Sequence, residues 1–434
     1  MKFKIAIIGL GYVGLPLAIS LGKYFKTIGF DTNKERILNL NKGIDINNEF
    51  NKKQIKKSKT IFSNRVEDLK EINFFIITVP TPIYSNNKKP NLSFIKKASL
   101  TISKFLRHKS IVVFESTVYP GLTENYSLKY LKKNNTLNCP SNDLEEKNLI
   151  KNNENFFYLG YSPERVNPGD NKRKLSNITK IISSNVKTSL NIIDFVYKKV
   201  IKSKIYKVQN IKTAEAAKII ENTQRDLNIA LFNEFSIIFN RLKLDSKQIF
   251  DAAETKWNFH RYFPGLVGGH CIGVDPYYLT YLSKKNNYKP QVILSGRNLN
   301  DNMHNYIFNE IKKIFIKKGI KLNKSRILIL GYTFKENCGD VRNSRTIELA
   351  KKFSRNFKDT YLFDPVAVTS NLGDKKLRTL RKIKGQYDLI LTAVSHNQFR
   401  KYSKSFFRKH LKKNSVFADL NRLYLGKINS DFSL

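Results

Sequence analysis

Short apolar runs alternate with amphipathic segments along the first half of the chain, and this alternation predicts a parallel sheet with helices on both faces. The runs are rich in isoleucine, valine and phenylalanine, and each is too short to be an ordinary helix. We predict strands at Ile5–Ile8, Lys26–Phe30, Phe74–Val79, Ile111–Phe114, Phe157–Tyr161 and Ile205–Lys207. The polar segment Lys132–Glu154 interrupts the alternation and predicts a surface insertion that holds Cys139.

A long helical pattern, Thr213–Arg241, separates this sheet from a second one. Its apolar positions are Ala217, Leu227, Leu231, Phe235 and Ile238. The next predicted strands are Arg326–Leu330, Asp359–Phe363, Leu389–Ala393 and Val416–Leu420. The pattern predicts an α/β protein in which a long central helix joins two Rossmann-like, doubly wound domains. We place the domain boundaries at 1–208, 209–318 and 319–434.

The first predicted strand leads into a glycine-rich turn, Gly9–Gly14, that precedes a helical segment. Gly9 permits the tight turn, Gly11 lets the backbone approach a pyrophosphate, and Gly14 lets helix and strand pack closely. The second strand ends at Asp31, an acid where a dinucleotide-binding unit needs a partner for the ribose hydroxyls. Together these features predict a site for NAD, because an acid there disfavours the 2′-phosphate of NADP.

A second glycine-rich segment, Gly268–Asp275, carries Cys271 four residues before its final aspartate. A thiolate adds readily to an aldehyde carbon, and glycines allow close approach to a ligand, so the segment suits an oxidation through a covalent intermediate. A single cysteine is also commonly a small buried apolar residue. The local sequence leaves both interpretations open.

The composition restricts the classes of protein to which the chain can belong. The 434 residues are enough for two or three domains, and the hydrophobic fraction of 41% is that of a globular protein. No apolar run is long enough to cross a bilayer, and the N-terminal run lacks a small-residue cleavage site, so we expect neither membrane insertion nor a signal peptide. The cysteines Cys139, Cys271 and Cys338 are too scattered for a disulfide framework or a zinc cluster. We therefore expect no metal and a cytoplasmic location.

The net charge of +43 comes from 78 Lys+Arg and 35 Asp+Glu. Basic residues are spread along the whole chain without a nucleic-acid-binding motif, so we expect no nucleic-acid partner. The charge favours an anionic substrate, such as one that carries a nucleotide.

Further motifs occur in a fixed order along the chain. They are Thr78–Pro82, Glu115–Gly121, Ser162–Arg165, Ala214–Asn222, Gly331–Lys335 and Gly339–Arg342. With the glycine turn, the long helix and the cysteine segment, they resemble the UDP-glucose/GDP-mannose dehydrogenase family of nucleotide-sugar 6-dehydrogenases over essentially the whole chain. The resemblance implies two successive NAD-dependent oxidations at C6 of a UDP-linked sugar, through a thiohemiacetal and a thioester on Cys271.

The resemblance also implies which residues bind and react. The catalytic residues would be Cys271 as nucleophile, Lys218 and Asn222 for the oxyanions, Asp275 and Thr117 for water and protons, and Glu164 as general acid/base. The NAD-binding residues would be Gly9, Gly11, Tyr12, Val13, Gly14, Asp31, Arg36, Thr81, Thr117 and Arg342. The substrate-binding residues would be Glu164, Arg165, Val166, Lys218, Asn222, Arg261, Gly268, His270 and Lys335. Taken singly, Lys218 and Asn222 could be a solvated helix face, and Glu164 could be a helix-start acid.

Two departures from the UDP-glucose members favour another sugar. Val274 stands where glucose-specific members carry lysine, and Glu164 is followed by Arg165–Gly169. Both resemble the N-acetylhexosamine branch, and Gly273 stands where mannosamine enzymes usually have proline. We therefore expect oxidation of UDP-N-acetylglucosamine or UDP-N-acetylgalactosamine for capsule or O-antigen synthesis.

Other functions are compatible with the sequence. UDP-glucose or UDP-N-acetylmannosamine could be the substrate. A one-step NAD-dependent hydroxyacid dehydrogenase would share the glycine turn, and a basic nucleic-acid-binding protein is a more distant alternative.

An expectation about assembly concerns Arg261, ten residues before Cys271. It matches a family arginine that reaches the sugar nucleotide of a neighbouring subunit, and the helix Thr213–Arg241 has apolar surface that could pair with its copy. The resemblance therefore implies a homodimer with shared active sites. The alternative is a solvated loop residue and a helix that joins domains within one chain.

Overall fold

The computed structural model describes residues 3–47, 49–166, 173–367, 372, 374 and 376–434. The chain divides into two compact units. The first unit is Met1–Glu221 with Tyr277–Tyr288, and the second is Asn222–Pro276 with Lys289–Leu434. The predicted three-domain boundaries stay a prediction.

Within the described residues, each unit contains one sheet, of eight strands in the first and five in the second. The strands are β1 (Lys4–Ile8), β2 (Lys26–Phe30), β3 (Ile61–Ser63), β4 (Phe74–Ile77), β5 (Ile111–Phe114), β6 (Tyr158–Tyr161), β7 (Lys180–Ser184), β8 (Ile205–Lys207), β9 (Arg326–Leu330), β10 (Asp359–Phe363), β11 (Leu377–Thr379), β12 (Tyr387–Thr392) and β13 (Leu411–Asp419). Strands β1 to β8 belong to the first unit and β9 to β13 to the second.

Helices connect and cover these strands. The α-helices are α1 (Gly14–Leu21), α2 (Lys34–Asn41), α3 (Lys52–Lys57), α4 (Ser93–Ser103), α5 (Leu128–Leu131), α6 (Asp143–Lys151), α7 (Lys187–Lys198), α8 (Ile211–Arg241), α9 (Ser246–Glu254), α10 (Asp275–Lys285), α11 (Gln291–Lys317), α12 (Arg345–Asn356) and α13 (Lys404–His410). Short 3-10 helices occur at Val66–Leu69, Leu175–Asn177, Leu322–Lys324 and Phe399–Lys401, and a short π-helix occurs at Thr123–Ser127. None of the helices in the described ranges is both long and apolar enough to cross a membrane.

The first sheet has the strand order β3-β2-β1-β4-β5-β6-β7-β8, and its strands pair in parallel except at β6 and β7. Successive residues of β1 face opposite sides, so Ile5 and Ile7 enter one apolar cluster while Ala6 and Ile8 enter the other. The order reverses between β1 and β4, which is the switch point where open parallel sheets bind ligands at the carboxyl ends of their strands. Gly9 follows β1 at that point.

The second sheet repeats this plan with the order β11-β10-β9-β12-β13, and all its pairs are parallel. Its first strand, β9, alternates between two clusters in the same way as β1. Gly331 follows β9 with a φ of +83°, a conformation that favours glycine. The predicted α/β fold with two doubly wound sheets and a long helix is confirmed.

All ten predicted strands occur, within about five residues at each end, but the pattern missed β3, β7 and β11. The predicted surface insertion at Lys132–Glu154 is wrong in part. It contains α6, and Leu149 is 7% exposed in one core cluster, while Cys139 packs against the other. Asparagine and lysine on the outer side of α6 hid its buried face from the sequence pattern.

Candidate active site

The glycine turn of the first unit disfavours larger residues at two of its three glycines, at Gly9 by its backbone conformation and at Gly14 by lack of space. Gly9 has a φ of +98°, and its N–H donates to Phe30 O at 2.8 Å. A Cβ on Gly14 would lie 1.8 Å from Gly9 O, because α1 begins directly against the turn. A Cβ on Gly11 would meet nothing within 4 Å, so the backbone there is open to a ligand.

Asp31 joins this turn to the end of β2. Its Oδ2 accepts from Leu10 N at 2.8 Å, and its Oδ1 accepts from Asn33 N at 2.9 Å. Each carboxylate oxygen can accept further hydrogen bonds, so Asp31 keeps capacity for ribose hydroxyls. The turn, the N-terminus of α1 and this carboxylate fit NAD.

Arg36 lies behind the turn. It is 5% exposed, its Nε donates to Leu10 O at 3.1 Å, and its Nη1 lies 2.8 Å from Asp45 Oδ1. Its contacts support the turn, and its direct contact with NAD stays a prediction. Of the other residues in the predicted NAD set, Tyr12, Val13, Thr81 and Thr117 are partly buried in this unit.

Glu164 follows β6 and is buried at the carboxyl edge of the sheet. Its Oε1 accepts from the N–H groups of Arg165 at 2.7 Å and Val166 at 2.6 Å. The guanidinium of Arg165 lies 2.9 Å from Glu221. The structure thus gives Glu164 a fixed orientation. The segment Asn167–Gly169, part of the sugar-specificity argument, lies outside the described residues.

Helix α8 carries Lys218 and Asn222 one turn apart, so the two side chains share a face of that helix. Lys218 is 9% exposed. Asn222 Nδ2 donates to Asp275 Oδ2 at 2.5 Å within the second unit. Asp275 is 2% exposed and Asn222 is partly buried, so the carboxylate is the more shielded partner of this hydrogen bond.

The cysteine segment is tightly folded in the second unit. Cys271 is exposed, and its carbonyl accepts from the backbone N–H groups of Val274 at 3.1 Å and Asp275 at 2.8 Å. A Cβ on Gly268 would lie 2.7 Å from Asn343 O, and Gly269 has a φ of +85°. Cys271 is therefore an exposed residue whose backbone is bonded to Asp275 of the Asn222–Asp275 pair. The interpretation of Cys271 as a small buried apolar residue is wrong.

His270 pairs with an acid of the segment Gly339–Arg342. Its Nε2 lies 3.4 Å from Asp340 Oδ2, and the guanidinium of Arg342 also binds Asp340, at 2.6 Å. These two partners hold the pKa of Asp340 well below its usual range even though burial acts in the opposite direction. Lys335 is partly buried in the same segment, and its carbonyl accepts from Thr333 Oγ1 at 3.0 Å.

Arg261 is bound within its own chain. Its Nη1 lies 2.6 Å from Asp251 Oδ1 and 2.7 Å from Glu254 Oε2, and the side chain is 14% exposed. Its guanidinium lies over the ring of Phe263 at 5.1 Å. Its predicted reach toward a second subunit stays a prediction.

Sequence reasoning missed several residues that organise these segments. Glu215 on α8 accepts from Gly121 N at 2.5 Å and Thr123 N at 2.9 Å, and burial raises its pKa to about 7. Lys180 and Glu115 form a buried ion pair next to Glu164. An acid directly after an apolar strand was the available signal for Glu115, whereas the surroundings of Lys180 gave none. No group of three or more His, Cys, Asp or Glu side chains suited to a metal ion occurs in the ranges that the structure describes.

Family models match three consecutive parts of the chain. All three models are from the UDP-glucose/GDP-mannose dehydrogenase family. The model of the NAD binding domain matches residues 3–201, that of the central domain matches residues 212–302, and that of the UDP binding domain matches residues 328–425. The chain belongs to the UDP-glucose/GDP-mannose dehydrogenase family. It is therefore an NAD-dependent dehydrogenase, as the glycine turn and Asp31 predicted.

Relatives in this family match nearly the full length. A UDP-N-acetyl-D-glucosamine 6-dehydrogenase of Salmonella typhi is 47% identical over 96% of each chain, and one of Pseudomonas aeruginosa is 42% identical over 99% of each chain. The solved structure of a UDP-D-ManNAc dehydrogenase from Pyrococcus horikoshii is similar with a TM-score of 0.85 at 28% identity, over 99% of this chain and 98% of the other.

Proposed function

We propose that this enzyme oxidises C6 of a UDP-N-acetylhexosamine, with UDP-N-acetylglucosamine or UDP-N-acetylgalactosamine as substrate, to the uronic acid. The names of the two relatives at 47% and 42% identity support the N-acetylglucosamine substrate. Val274 and Gly273 in the cysteine segment support the same branch by resemblance. The observation that carries the proposal is the exposed Cys271 next to the Asn222–Asp275 hydrogen bond. By resemblance, the product supplies capsule or O-antigen synthesis.

The proposed reaction has two oxidations and one hydrolysis. NAD, when bound, accepts the hydride of each oxidation. In the first, a base removes the C6 hydroxyl proton as the carbon is oxidised to an aldehyde. The Cys271 thiolate then bonds to that carbon and the former carbonyl oxygen takes up a proton, which gives a thiohemiacetal and keeps the aldehyde on the enzyme. The second oxidation converts it to a thioester, and water releases the carboxylate and the thiolate.

The roles of the other residues follow from where charge develops. Oxygen at C6 becomes negative in each step, and the ammonium of Lys218 and the amide of Asn222 are suited to stabilise it. Asp275 fixes the Asn222 amide by their 2.5 Å hydrogen bond. Thr117 would hold the hydrolytic water, and Glu164 would accept its proton.

The stoichiometry of NADH formation is our first prediction. Because the aldehyde stays bound to Cys271, the enzyme should form two NADH for each UDP-N-acetylhexosamine consumed and release no free aldehyde. Absorbance at the NADH band, chromatography of the product and an aldehyde trap measure these quantities. A panel with UDP-glucose and UDP-N-acetylmannosamine identifies the sugar by kcat/KM.

The same measurement separates the alternative enzyme class. A one-step hydroxyacid dehydrogenase predicts one NADH per substrate and a tolerated Cys271→Ala substitution. A ratio of one NADH with any nucleotide sugar would therefore overturn the covalent mechanism.

We also propose a homodimer whose active sites are completed by Arg261 of the other subunit. Leu231 and Ile238 on α8 are each 44% exposed, so this helix keeps apolar surface that could pair with its copy. Arg261 would have to leave Asp251 and Glu254 to reach a substrate.

Subunit mixing tests this assembly. Cys271→Ala and Arg261→Ala subunits, each inactive alone, should regain activity when mixed, because a mixed dimer contains one site with both native residues. Mass spectrometry of differently tagged subunits confirms exchange. An active monomer, or exchanged subunits without activity, would contradict shared sites.

The proposed thiol chemistry also bears on location. It needs Cys271 reduced, and reducing conditions are those of the cytoplasm. We therefore propose that the enzyme works there.

A further inference from the structure

Glu164 belongs to a cluster of four buried side chains at the carboxyl edge of the first sheet. Lys180 Nζ lies 2.8 Å from Glu115 Oε2 and 3.6 Å from Glu164 Oε2. The phenol of Tyr197 donates to Glu115 Oε1. Glu115, Lys180 and Tyr197 are 2%, 3% and 0% exposed, so these interactions are little screened by water.

The antiparallel direction of β7 explains how Lys180 reaches this edge. Gly160 pairs with Ser184 and Tyr161 with Ser183. The same register, continued by three residues, places Glu164 opposite Lys180, the first residue of β7. A parallel strand would have delivered its last residue to the carboxyl edge instead. The one antiparallel pairing among the described pairs of this sheet thus brings a lysine beside Glu164.

The positive and negative charges of the cluster do not cancel. With both carboxylates ionised and the lysine protonated its net charge is −1, and one added proton makes it neutral. Burial, together with the charge of Glu164, raises the pKa of Glu115 to about 7 against the effect of Lys180. Burial lowers the pKa of Lys180, but the two carboxylates outweigh it and raise that pKa, so the lysine stays cationic.

We propose that Lys180 is a positioning residue that aligns the Glu164 side chain for hydrolysis of the thioester, and that Glu115 holds Lys180 in place. This inference rests on the proposed function of Glu164. In the hydrolysis, a water oxygen bonds to the thioester carbon, the carbon–sulfur bond breaks, and its electron pair leaves on the sulfur of Cys271. One water proton passes to Glu164, and the other leaves for solvent as the product carboxylic acid ionises.

The geometry of the carboxylate supports this division of roles. Glu164 Oε1 is occupied by the N–H groups of Arg165 and Val166, which leaves Oε2 facing the lysine. Lys180 Nζ meanwhile donates to Glu115 at 2.8 Å and to Pro163 O at 3.2 Å. The lysine is therefore held in place by Glu115 while its charge also acts on Glu164.

Other groups near Glu164 set the background. Tyr197 from α7 lies close enough for the charge of Glu164 to contribute to its raised pKa, after burial and Glu115. Arg165 neighbours Glu164 in sequence, and its guanidinium binds Glu221 and Thr179 O. Because these groups are unchanged in the variants below, a shift in pH dependence reports the charges of Lys180 and Glu115.

The test uses the pH dependence of thioester decay on Cys271, followed by mass spectrometry of quenched single turnovers. Lys180→Met removes a cation that favours the ionised form of the nearby carboxylate. The fall in the decay rate at low pH, here called the acid limb, should therefore move to higher pH by about one unit or more. Burial raises the pKa of Glu115 to about 7, so its side chain is already neutral on the acid side of the profile, and Glu115→Gln should leave the acid limb near its native position. A purely structural role of Lys180 would lower the rate without a change in its pH dependence.

Three further variants make the result specific. Lys180→Arg retains the cation and should keep the acid limb at its native pH. Lys198→Met removes a surface lysine that pairs with Asp194 in the same unit and should also leave the limb unchanged. The double variant Lys180→Met/Glu115→Gln leaves no unpaired ion from the Lys180–Glu115 pair, so it replaces Lys180→Met in the test if Lys180→Met does not fold. Its acid limb should lie at higher pH than that of Glu115→Gln, because the double variant lacks the lysine charge.

Glu164→Gln separates the two proposals. If that variant hydrolyses the thioester at the native rate, the proposed role of Glu164 fails, and the inference fails with it. If Glu164→Gln accumulates the thioester while the acid limb of Lys180→Met stays at its native pH, only the inference is overturned. The same holds if the double variant and Glu115→Gln have the same acid limb.

Discussion

Replacing Cys271 by serine should lower kcat by at least about a thousandfold, with the affinity for the nucleotide sugar nearly unchanged. A hydroxyl at this position is a much weaker nucleophile than a thiolate, so the aldehyde is captured slowly or held as a slowly hydrolysing ester. Cys271 is exposed and held by backbone hydrogen bonds to its carbonyl, so the substitution should not disturb the fold. Steady-state kinetics, calorimetric binding of the substrate and mass spectrometry of the intact protein measure these effects.

Cys139→Ala is the matched control for loss of a thiol. Burial raises the pKa of the Cys139 thiol to about 12, so it is not a thiolate at neutral pH. This variant should keep kcat within about twofold of the native enzyme, since surrounding packing is the main property changed. Near-native turnover of Cys271→Ser would mean that the thiol is not the nucleophile.

The second large effect is expected for Gly14→Ala. Its methyl group would lie 1.8 Å from Gly9 O and 2.5 Å from Thr78 Oγ1. These two atoms are hydrogen-bonded to each other at 2.7 Å, so neither can move away without breaking the turn. We expect the free energy of unfolding to fall by about 3 kcal/mol or more, and NAD binding to be lost with the turn. Denaturant unfolding and fluorescence titration with NADH measure both quantities.

Gly11→Ala provides the contrast in the same turn. A Cβ there meets nothing within 4 Å, so the free energy of unfolding should change by less than about 0.5 kcal/mol. The methyl group would nevertheless occupy the space that a pyrophosphate needs, and the KM for NAD should rise about tenfold, or 1.4 kcal/mol. An unchanged KM for NAD in Gly11→Ala, or an unchanged stability in Gly14→Ala, would contradict this account of the turn.

The strands that the sequence predicted include those made almost entirely of apolar residues that are buried in the structure. In β1, β5 and β9 nearly every side chain is buried, so a continuous apolar run is enough to identify each strand. Strand β7 escaped prediction because it begins with Lys180 and ends with Ser183 and Ser184. All three are buried, and their polar atoms bond to groups distant in sequence, such as Tyr161 O and Leu159 O. A local pattern cannot anticipate those partners.

The sequence by itself determined the NAD-binding turn and the residue types of the chemistry. Glycine spacing and the acid after β2 are local properties, and each follows from steric or chemical needs of a few consecutive residues. The family resemblance that the order of motifs carries then implies Glu164, Lys218 and Cys271 as candidates.

Only the tertiary structure decided what surrounds those candidates. It buried Arg36 against Asp45, and it brought Lys180 and Glu115 beside Glu164. These contacts join residues 9 to 65 positions apart, and the antiparallel direction of β7 selects those of Lys180. The charge around a carboxylate depends on which distant strand returns beside it, and that is settled by the packing of the whole sheet rather than by neighbouring residues.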